Sequence, residues 1–422
     1  MALCVNSEIG RLRRVLVHRP GAEIDSMVPE MMEELLFDDI LFGEEAQKEH
    51  DIFRHVLERA GVEVLEAEDL LADVLEDSDL RSECVERLER RYALRSAVVN
   101  RLSRCSPPEM AAVMIAGLRS RDPGVERQRR FFDMGPLPNY FFQRDPQFVV
   151  GDRAIISSMA TEAREREPML ARLIFQHHPE LAGGSAPDLL ERPAFGGPDF
   201  DPEAMMPTVE GGDVLVPSPE VVLVGLSERT NRRGIEELAQ RLQGEHSTFE
   251  HLVVVELPAK RSFMHLDTVL TFVDHGTCLA HLPVIEPGRA RSAHASVIDL
   301  DAERLAFRLC DSVAAALAEV GLEVEMVPCG GSDRIEQERE QWTDGANAFA
   351  VEPGVIICYQ RNRRTAEELG RRGWRLLTES DVLAGETIVG QGKTAVTFLG
   401  PELSRARGGP RCMTMPLERE SV

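Results

Sequence analysis

The strongest constraint on how this chain can fold is a repeated order of elements. Strand-like, strand-like, helix-like and strand-like stretches follow one another about five times along 422 residues, without sequence identity between the copies. In the clearest copy, Val214-Leu215-Val216, the turn Pro217-Ser218-Pro219 and the apolar run 221–224 predict a hairpin. A helix is expected at 231–242 and a strand at 252–255. Residues 348–351, 355–359, 365–372 and 374–377 repeat that order, as do two strands within 148–156 followed by a helix at 164–177. A further copy has strands at 266–272 and 278–281, an Ala-rich helix at 302–320 and a strand at 324–327. The first unit reads as a strand at 12–18, a helix at 44–60 and a strand at 62–65. Period-two and period-3.6 stretches alternating in this way predict an α/β chain whose units stack around an axis and bury a shared core.

Residues 70–133 break the rhythm. They are dense in Arg, Glu, Leu and Ala, are punctuated by Pro107-Pro108, and are expected to form a helical insertion of several short helices. Residues 183–207, rich in Gly, Pro and Asp, are expected to form a long surface loop near the functional site.

Charge and cysteine usage narrow the function classes. With 48 Lys+Arg against 72 Asp+Glu, the formal net charge is -24. That balance argues against gripping nucleic acid or an anionic membrane surface and favours a cationic partner. No apolar run reaches the ~18 residues that a membrane-spanning helix needs. The start shows no secretory pattern, and the eight cysteines (4, 84, 105, 278, 310, 329, 358 and 412) include no CxxC pair. A cytoplasmic protein with reduced thiols is expected, with neither a disulfide frame nor a zinc finger.

Four polar segments stand beside strand-like stretches: Pro138-Asn139-Tyr140-Phe141-Phe142-Gln143-Arg144-Asp145-Pro146, Glu210-Gly211-Gly212-Asp213, His265-Leu266-Asp267-Thr268 and Arg407-Gly408-Gly409-Pro410-Arg411-Cys412-Met413. Each is weak singly. Together they supply a thiol, an imidazole and the carboxylates Asp145, Glu210 and Asp267, a set suited to attack on the carbon of a bound cation. In an extended strand, His265 and Asp267 would share one face. Carboxylates hold a planar guanidinium through paired, charge-assisted hydrogen bonds, a thiolate is the nucleophile and an imidazole moves protons. The spacing fits no compact metal motif, and no metal or organic cofactor is expected.

In this ordered set the chain resembles the arginine deiminases, of the guanidino-group-modifying superfamily. Further matching stretches are Ser7-Glu8-Ile9-Gly10-Arg11-Leu12, Glu34-Leu35-Leu36-Phe37-Asp38-Asp39, Lys48-Glu49-His50-Asp51, Pro136-Leu137-Pro138-Asn139, Met264-His265-Leu266-Asp267-Thr268-Val269 and Glu340-Gln341-Trp342-Thr343-Asp344-Gly345. The resemblance implies a five-bladed α/β propeller of ββαβ units spanning 1–422 as one catalytic domain, with 70–133 inserted into it. Residues 384–398 look like a local elaboration of the family pattern. By motif, Cys412 resembles the nucleophile, His265 the general acid/base, Asp145 and Asp267 the guanidinium-binding pair, and Glu210 the carboxylate that orients the histidine. Arg164 and Arg229 resemble holders of a substrate α-carboxylate. Asn139 and Phe142 resemble pocket residues, Leu36 a pocket wall and Arg407 a mobile gate. Trp342 is expected to pack and position a strand.

The implied reaction is hydrolysis of L-arginine to L-citrulline and ammonia through an S-alkylthiouronium. Three carboxylates would raise the Cys412 thiol pKa, while the bound substrate, a charged His265 or Arg407 would lower it. A homo-oligomer of two or more chains is expected from the same resemblance. The rivals are a dimethylarginine hydrolase, an agmatine deiminase, an amidinotransferase and a non-catalytic propeller-type binding protein. Two arginines placed for a carboxylate argue against agmatine.

Overall fold

The unit beginning at Val214 shows how local sequence makes the repeat. Val214–Ser218 and Val221–Leu226 pair antiparallel, with Val214 opposite Val224 and Leu215 opposite Leu223. The Asn231 side chain then accepts a hydrogen bond from the Gly234 backbone N–H at 2.9 Å, satisfying a donor that a helix start would leave orphaned. The helix Arg232–Leu242 buries Ile235, Leu238, Ala239 and Leu242, one stripe at 3.6-residue periodicity. The chain returns as His251–Glu256, parallel to Val221–Leu226.

This computed structural model describes residues 3–120, 131–182, 187–190, 206–243, 247–288 and 292–422. The same nucleus, an antiparallel pair whose second strand takes a parallel neighbour, organises five sheets, the blades of an α/β propeller. The second blade is Gln147–Val150, Arg153–Ile156 and Asp188–Leu189. The fourth is Leu270–Asp274, Thr277–Ala280 and Glu325–Pro328. The first blade is assembled from both ends of the chain. Leu12–Val17 pairs parallel with Glu63–Glu66 and antiparallel with Met415–Arg419, so the strand just after Cys412 completes the sheet that opens the fold.

Three expectations are corrected. In the third blade, His294–Asp299 and Arg308–Cys310 extend the sheet, and the helix expected from residue 302 runs only over Val313–Glu319. Pairing with the sheet edge overrides the helical propensity of the intervening Ala, Glu, Arg and Leu. In the fifth blade, Thr394–Phe398 lies between Val355–Tyr359 and Arg375–Thr378, parallel to both and buried throughout. The stretch that looked like an elaboration therefore contains a central strand, and its Thr, Val and Phe residues suit that position. In the fourth blade, Leu266–Thr268 is a 3-10 turn, not the start of a strand.

Four helices follow the first blade: Ala67–Val74, Ser78–Tyr92, Ser96–Leu102 and Pro107–Ala116. Pro107 and Pro108 sit in the first turn of the last, behind a Ser106–Glu109 capping box, where a missing N–H costs nothing. Leu71, Met110 and Met114 of these helices pack in one cluster with Leu170 and Ile174 of Arg166–His177. Leu118–Arg119 pairs with Phe132–Met134, a short strand pair in a stretch expected to hold none. Most of the loop expected at 183–207 lies outside the described residues. Among those described, no helix is long and apolar enough to cross a membrane.

Candidate active site

Short turns at strand starts carry the polar groups, and close backbone approach brings them together. Glu210 precedes the 3-10 turn Gly211–Asp213, and His265 precedes the 3-10 turn Leu266–Thr268. Asp213 joins the two: its Oδ1 accepts the Leu266 N–H at 2.8 Å and its Oδ2 the Ser227 hydroxyl at 2.7 Å. His265 and Asp267 thus reach the site from a turn, not from one face of a strand. A Cβ at Gly212 would stand 2.6 Å from His265 Nδ1 and 2.8 Å from Asp145 Oδ1, so only glycine leaves room for the imidazole. The Cys412 N–H is fixed by Asn347 Oδ1 at 3.1 Å, while Asn347 Nδ2 donates to the Asp267 carbonyl at 3.0 Å.

Cys412, His265, Asp145, Arg164, Arg229, Asn139, Phe142, Leu36 and Arg407 line one narrow cavity. Glu210 and Asp267 stand directly behind it. Glu210 Oε2 lies 2.8 Å from His265 Nε2, and Asp267 Oδ2 lies 3.7 Å from Cys412 Sγ. Asp145 Oδ1 lies 3.6 Å from His265 Nδ1. The two aspartates are held alike. Asp145 Oδ2 accepts from Arg164 at 2.7 Å and Asp267 Oδ2 from Arg411 at 2.9 Å, while each Oδ1 is buried without a hydrogen-bond partner.

Arg164 is bound more firmly than the sequence implied. Its Nε and Nη2 grip Glu167 at 2.9 and 2.7 Å in addition to the Asp145 bond, so its partners here are carboxylates of the protein itself. Arg229 is freer, with a 3.7 Å contact from Nη1 to Glu210 Oε1. The Asn139 amide anchors the pocket wall by donating to the Leu35 carbonyl at 2.8 Å, and Leu36 next to it adopts φ 56°. Arg261 clamps the same wall, bonding both oxygens of Asp38 at 3.0 Å and the Leu36 carbonyl at 3.0 Å. Arg407 adopts φ 67°, and its guanidinium lies 3.5 Å from the ring centre of Trp342. Trp342 is half exposed at the end of the helix Arg334–Trp342, so it stacks on Arg407 instead of packing under a strand.

The charges oppose burial in a consistent way. Burial alone would pull the His265 pKa down, but Asp145 and Glu210 outweigh it and raise it to about 9. Burial would likewise push Glu210 up, yet Arg229 and the His265 hydrogen bond hold its carboxyl at about 2. At Cys412 the Gly409 backbone hydrogen bond pulls down but is outweighed: burial, then Asp267 and Asp145, push the thiol well above the ordinary value. At neutral pH these shifts favour a thiol at Cys412 and an imidazolium at His265. Asp145, Glu210 and His265 bring ligand atoms within 4.8 Å of one another, a spacing that would admit a cation. Arg164 and Arg229 already stand against those carboxylates, so an ion would compete with built-in guanidinium charge.

Arg411, Asn347, Asp213, Arg261 and the Trp342–Arg407 stack were not assigned site roles from sequence. Arg411 adjoins Cys412 and Asp213 closes the Glu-Gly-Gly-Asp segment, so the motifs contained both. Asn347 lies just beyond Asp344-Gly345, and nothing in its local pattern marks it.

A five-bladed α/β propeller with a cysteine, a histidine and paired carboxylates around one buried cavity defines the guanidino-group-modifying class. Solved structures show the same fold at low identity. An amidinotransferase from Microseira wollei matches with TM-score 0.58 and 15% identity, over 100% of this chain and 98% of that one. A dimethylarginine dimethylaminohydrolase from Pseudomonas aeruginosa matches with TM-score 0.50 and 14% identity, over 96% and 99%.

Within that class the sequence is decisive. The family model described as arginine deiminase matches residues 33–419. An arginine deiminase of Clostridium perfringens is 35% identical over 100% of this chain and 99% of its own length. One of Listeria monocytogenes is 36% identical, covering 100% and 98%. The chain belongs to the arginine deiminase family.

Proposed function

We propose that the chain hydrolyses L-arginine to L-citrulline and ammonia, with Cys412 as nucleophile. The observation that carries this reading is the pair of buried aspartates around the thiol, Asp145 and Asp267, each with an Oδ1 that has no hydrogen-bond partner. Each carboxylate is held through its other oxygen and presents one acceptor, an arrangement suited to two nitrogens of a planar cation. Fixing those nitrogens turns the guanidinium carbon toward Sγ and makes the attack effectively intramolecular.

The cation also supplies what the resting site lacks. Its charge offsets Asp145 and Asp267, which favours thiolate formation as substrate enters. Sγ forms a bond to the guanidinium carbon, giving a tetrahedral adduct. His265, already protonated, gives its proton to the departing nitrogen, so ammonia leaves and an S-alkylthiouronium remains. Neutral His265 then takes a proton from water as its oxygen adds to the same carbon. Collapse breaks the C–S bond as the added hydroxyl gives up its proton, releasing citrulline and a sulfur that regains the proton the thiol lost to solvent when substrate bound. Glu210 holds the imidazole throughout. No step calls for a metal or organic cofactor.

Arg229 takes the substrate α-carboxylate in this reading, since its tie to Glu210 is long. Arg164 serves chiefly to hold Asp145. Phe142 flanks the aliphatic stem, and Arg407 closes over the thiol by leaving Trp342. The proposal includes residues 1–422 as one catalytic domain with 70–133 as its insertion, a cytoplasmic location and a homo-oligomeric state that light scattering would test. The decisive assay is colorimetric citrulline release from arginine, agmatine and methylated arginines, comparing wild type with Cys412→Ala. Preference for a methylated arginine, or turnover by Cys412→Ala, would overturn the reading.

A further inference from the structure

A buried ion-pair chain runs from the N-terminal segment to the residue beside the nucleophile. Arg411 is 1% exposed. Its Nη1 donates to Asp267 Oδ2 at 2.9 Å, its Nε and Nη2 to the two oxygens of Glu8 at 3.1 Å each, and Nη2 also to the Val214 carbonyl at 2.8 Å. Glu8 is anchored in turn by the Val216 N–H at 3.0 Å. Arg144 supports the same loop, donating to the Arg411 carbonyl through Nε at 3.3 Å and to the Cys412 carbonyl through its backbone N–H at 3.1 Å. Every guanidinium nitrogen of Arg411 therefore has an assigned acceptor. A side chain this constrained fixes what it touches.

We propose that Arg411 and Glu8 form a positioning pair: Arg411 orients Asp267 toward the substrate and offsets its charge at Cys412, and Glu8 holds Arg411 in register. The inference rests on the assignment of Cys412 as nucleophile and Asp267 as a guanidinium acceptor. Two observations carry it. Asp267 Oδ2 lies between Arg411 and Sγ, so whatever holds that oxygen sets both the field at sulfur and the direction of the free Oδ1. The pair also repeats, with different residues, the device across the site, where Arg164 holds Asp145 through Oδ2 and is itself held by Glu167. Each substrate-facing aspartate thus has an arginine behind it, and each arginine a glutamate.

The surrounding charges agree. Burial pushes the Asp267 carboxyl up, and Arg411 is the largest influence opposing it, followed by His265. Around Cys412 the other charged groups include Asp145, Asp344, Arg407 and His265, with Asp38, Arg164, Arg229 and Arg261 lining the same cavity, and around Arg411 they include Arg144 and Arg419. Against that fixed background the two members of the pair pull the thiol in opposite directions.

The test exploits this sign difference. The rate of iodoacetamide alkylation of Cys412 at pH 8, followed by mass spectrometry, reports thiolate population without any substrate. Arg411→Gln removes a positive charge and is expected to slow alkylation by about tenfold or more, whereas Glu8→Gln removes a negative one and is expected to accelerate it. Arg411→Lys keeps the charge without the fork, so alkylation stays near the wild-type rate while turnover falls. In arginine turnover, Arg411→Gln is expected to lose about 100-fold in kcat, the scale of one charge-assisted hydrogen bond, with KM changing less.

Simple loosening of the fold would expose the thiol and accelerate alkylation in both neutral variants. Shifts of the same sign in Arg411→Gln and Glu8→Gln therefore overturn the proposal, and opposite shifts support it. Thermal midpoints of each variant identify any that fail to fold, in which case the Arg411→Lys comparison decides: unchanged alkylation with reduced turnover supports the pair, and slowed alkylation refutes it. Wild type failing to release citrulline would instead strike the functional reading and leave the alkylation result interpretable by itself.

Discussion

Replacing Glu210 with Gln tests the electrostatics of the site at one atom. His265 Nε2 lies 2.8 Å from Glu210 Oε2, and the imidazole pKa stands at about 9. Against a reference near 6.5, that is roughly two to three pH units of extra proton affinity, on the order of 3 kcal/mol at about 1.4 kcal/mol per unit. A hydrogen bond to a charged group contributes ~1.5–3 kcal/mol, so the neutral amide should remove about 1–2 of those units and leave Asp145 supplying the rest. The sign follows from the chemistry. His265 must carry a proton to release ammonia, so activity falls as pH rises through its pKa. With the thiol ionised by bound arginine, the alkaline limb of kcat, which reports the complex, is expected to follow the His265 imidazole. In Glu210→Gln it should move down by about 1–2 units, with kcat reduced ~10–100-fold at neutral pH through lost orientation. The assay is citrulline release from pH 6 to 10 under saturating and limiting arginine. An alkaline limb that stays in place, or moves upward, would refute the claim that Glu210 sustains the imidazolium.

Arg229→Met should raise KM for arginine by about 100-fold while leaving kcat within roughly tenfold, because it removes the contact proposed for the substrate α-carboxylate and none to the guanidinium. Equal loss in both parameters would count against that role. Gly212→Ala places a methyl 2.6 Å from His265 Nδ1, so kcat should fall by about 100-fold with an unchanged far-ultraviolet circular dichroism spectrum. Near-normal activity would show that the imidazole is not confined as described. His18, buried between Glu66 at 2.9 Å and Glu23 at 3.4 Å, has its pKa raised to about 10, although burial alone would lower it. Its stabilising contribution, on the order of 3–5 kcal/mol, is full below about pH 6.5 and lost as pH rises through about 10. The urea-midpoint gap between wild type and His18→Asn should therefore be widest near pH 6 and close toward pH 10; a constant gap would dismiss the linkage. Dialysis against a chelator should leave citrulline release unchanged, since Arg164 and Arg229 already face the carboxylates an ion would need.

Where chemistry and local geometry coincide, the sequence was readable. Asn231 and the Ile235–Leu238–Ala239–Leu242 spacing announce a capped, one-faced helix, and the structure has it within a residue of the expectation. Five copies of one unit were visible because strand and helix periods differ along the chain. What escaped depends on pairing between distant segments. Thr394–Phe398 becomes central only because the strand at Val355–Tyr359 is there to receive it. The antiparallel partner of Leu12–Val17 comes from the far end of the chain. The same limit applies in the site. Cys412, His265, Asp145, Glu210 and Asp267 were named from motifs, and their convergence on one cavity needed the fold. Asn347 has an ordinary local context, and its function as a bridge between the Cys412 loop and the Asp267 turn is set by contacts across 65 and 80 residues.

The arrangement of charges also bears on how the proposed nucleophile would be ionised. Burial and the acids Asp267, Asp145 and Asp344 push this thiol well above its ordinary value, while Arg164 and Arg411 each engage one aspartate through its Oδ2. Turning Arg164 and Arg411 inward would activate the thiol permanently, at the cost of filling the acceptors a guanidinium requires. Holding them on Oδ2 leaves Oδ1 of each without a hydrogen-bond partner, so in the proposed reaction the charge that ionises sulfur arrives with the group to be attacked. A neutral ligand of the same shape could occupy the cavity without relieving the carboxylates and would leave Cys412 protonated. Discrimination between a guanidinium and a urea, and with it between substrate and product, then follows from electrostatics even before shape is considered. Citrulline is accordingly expected to slow Cys412 alkylation only by shielding, whereas a non-reacting guanidinium analogue should raise the ultraviolet thiolate absorbance at pH 7; equal absorbance with both ligands would mean that sulfur is ionised by the protein alone.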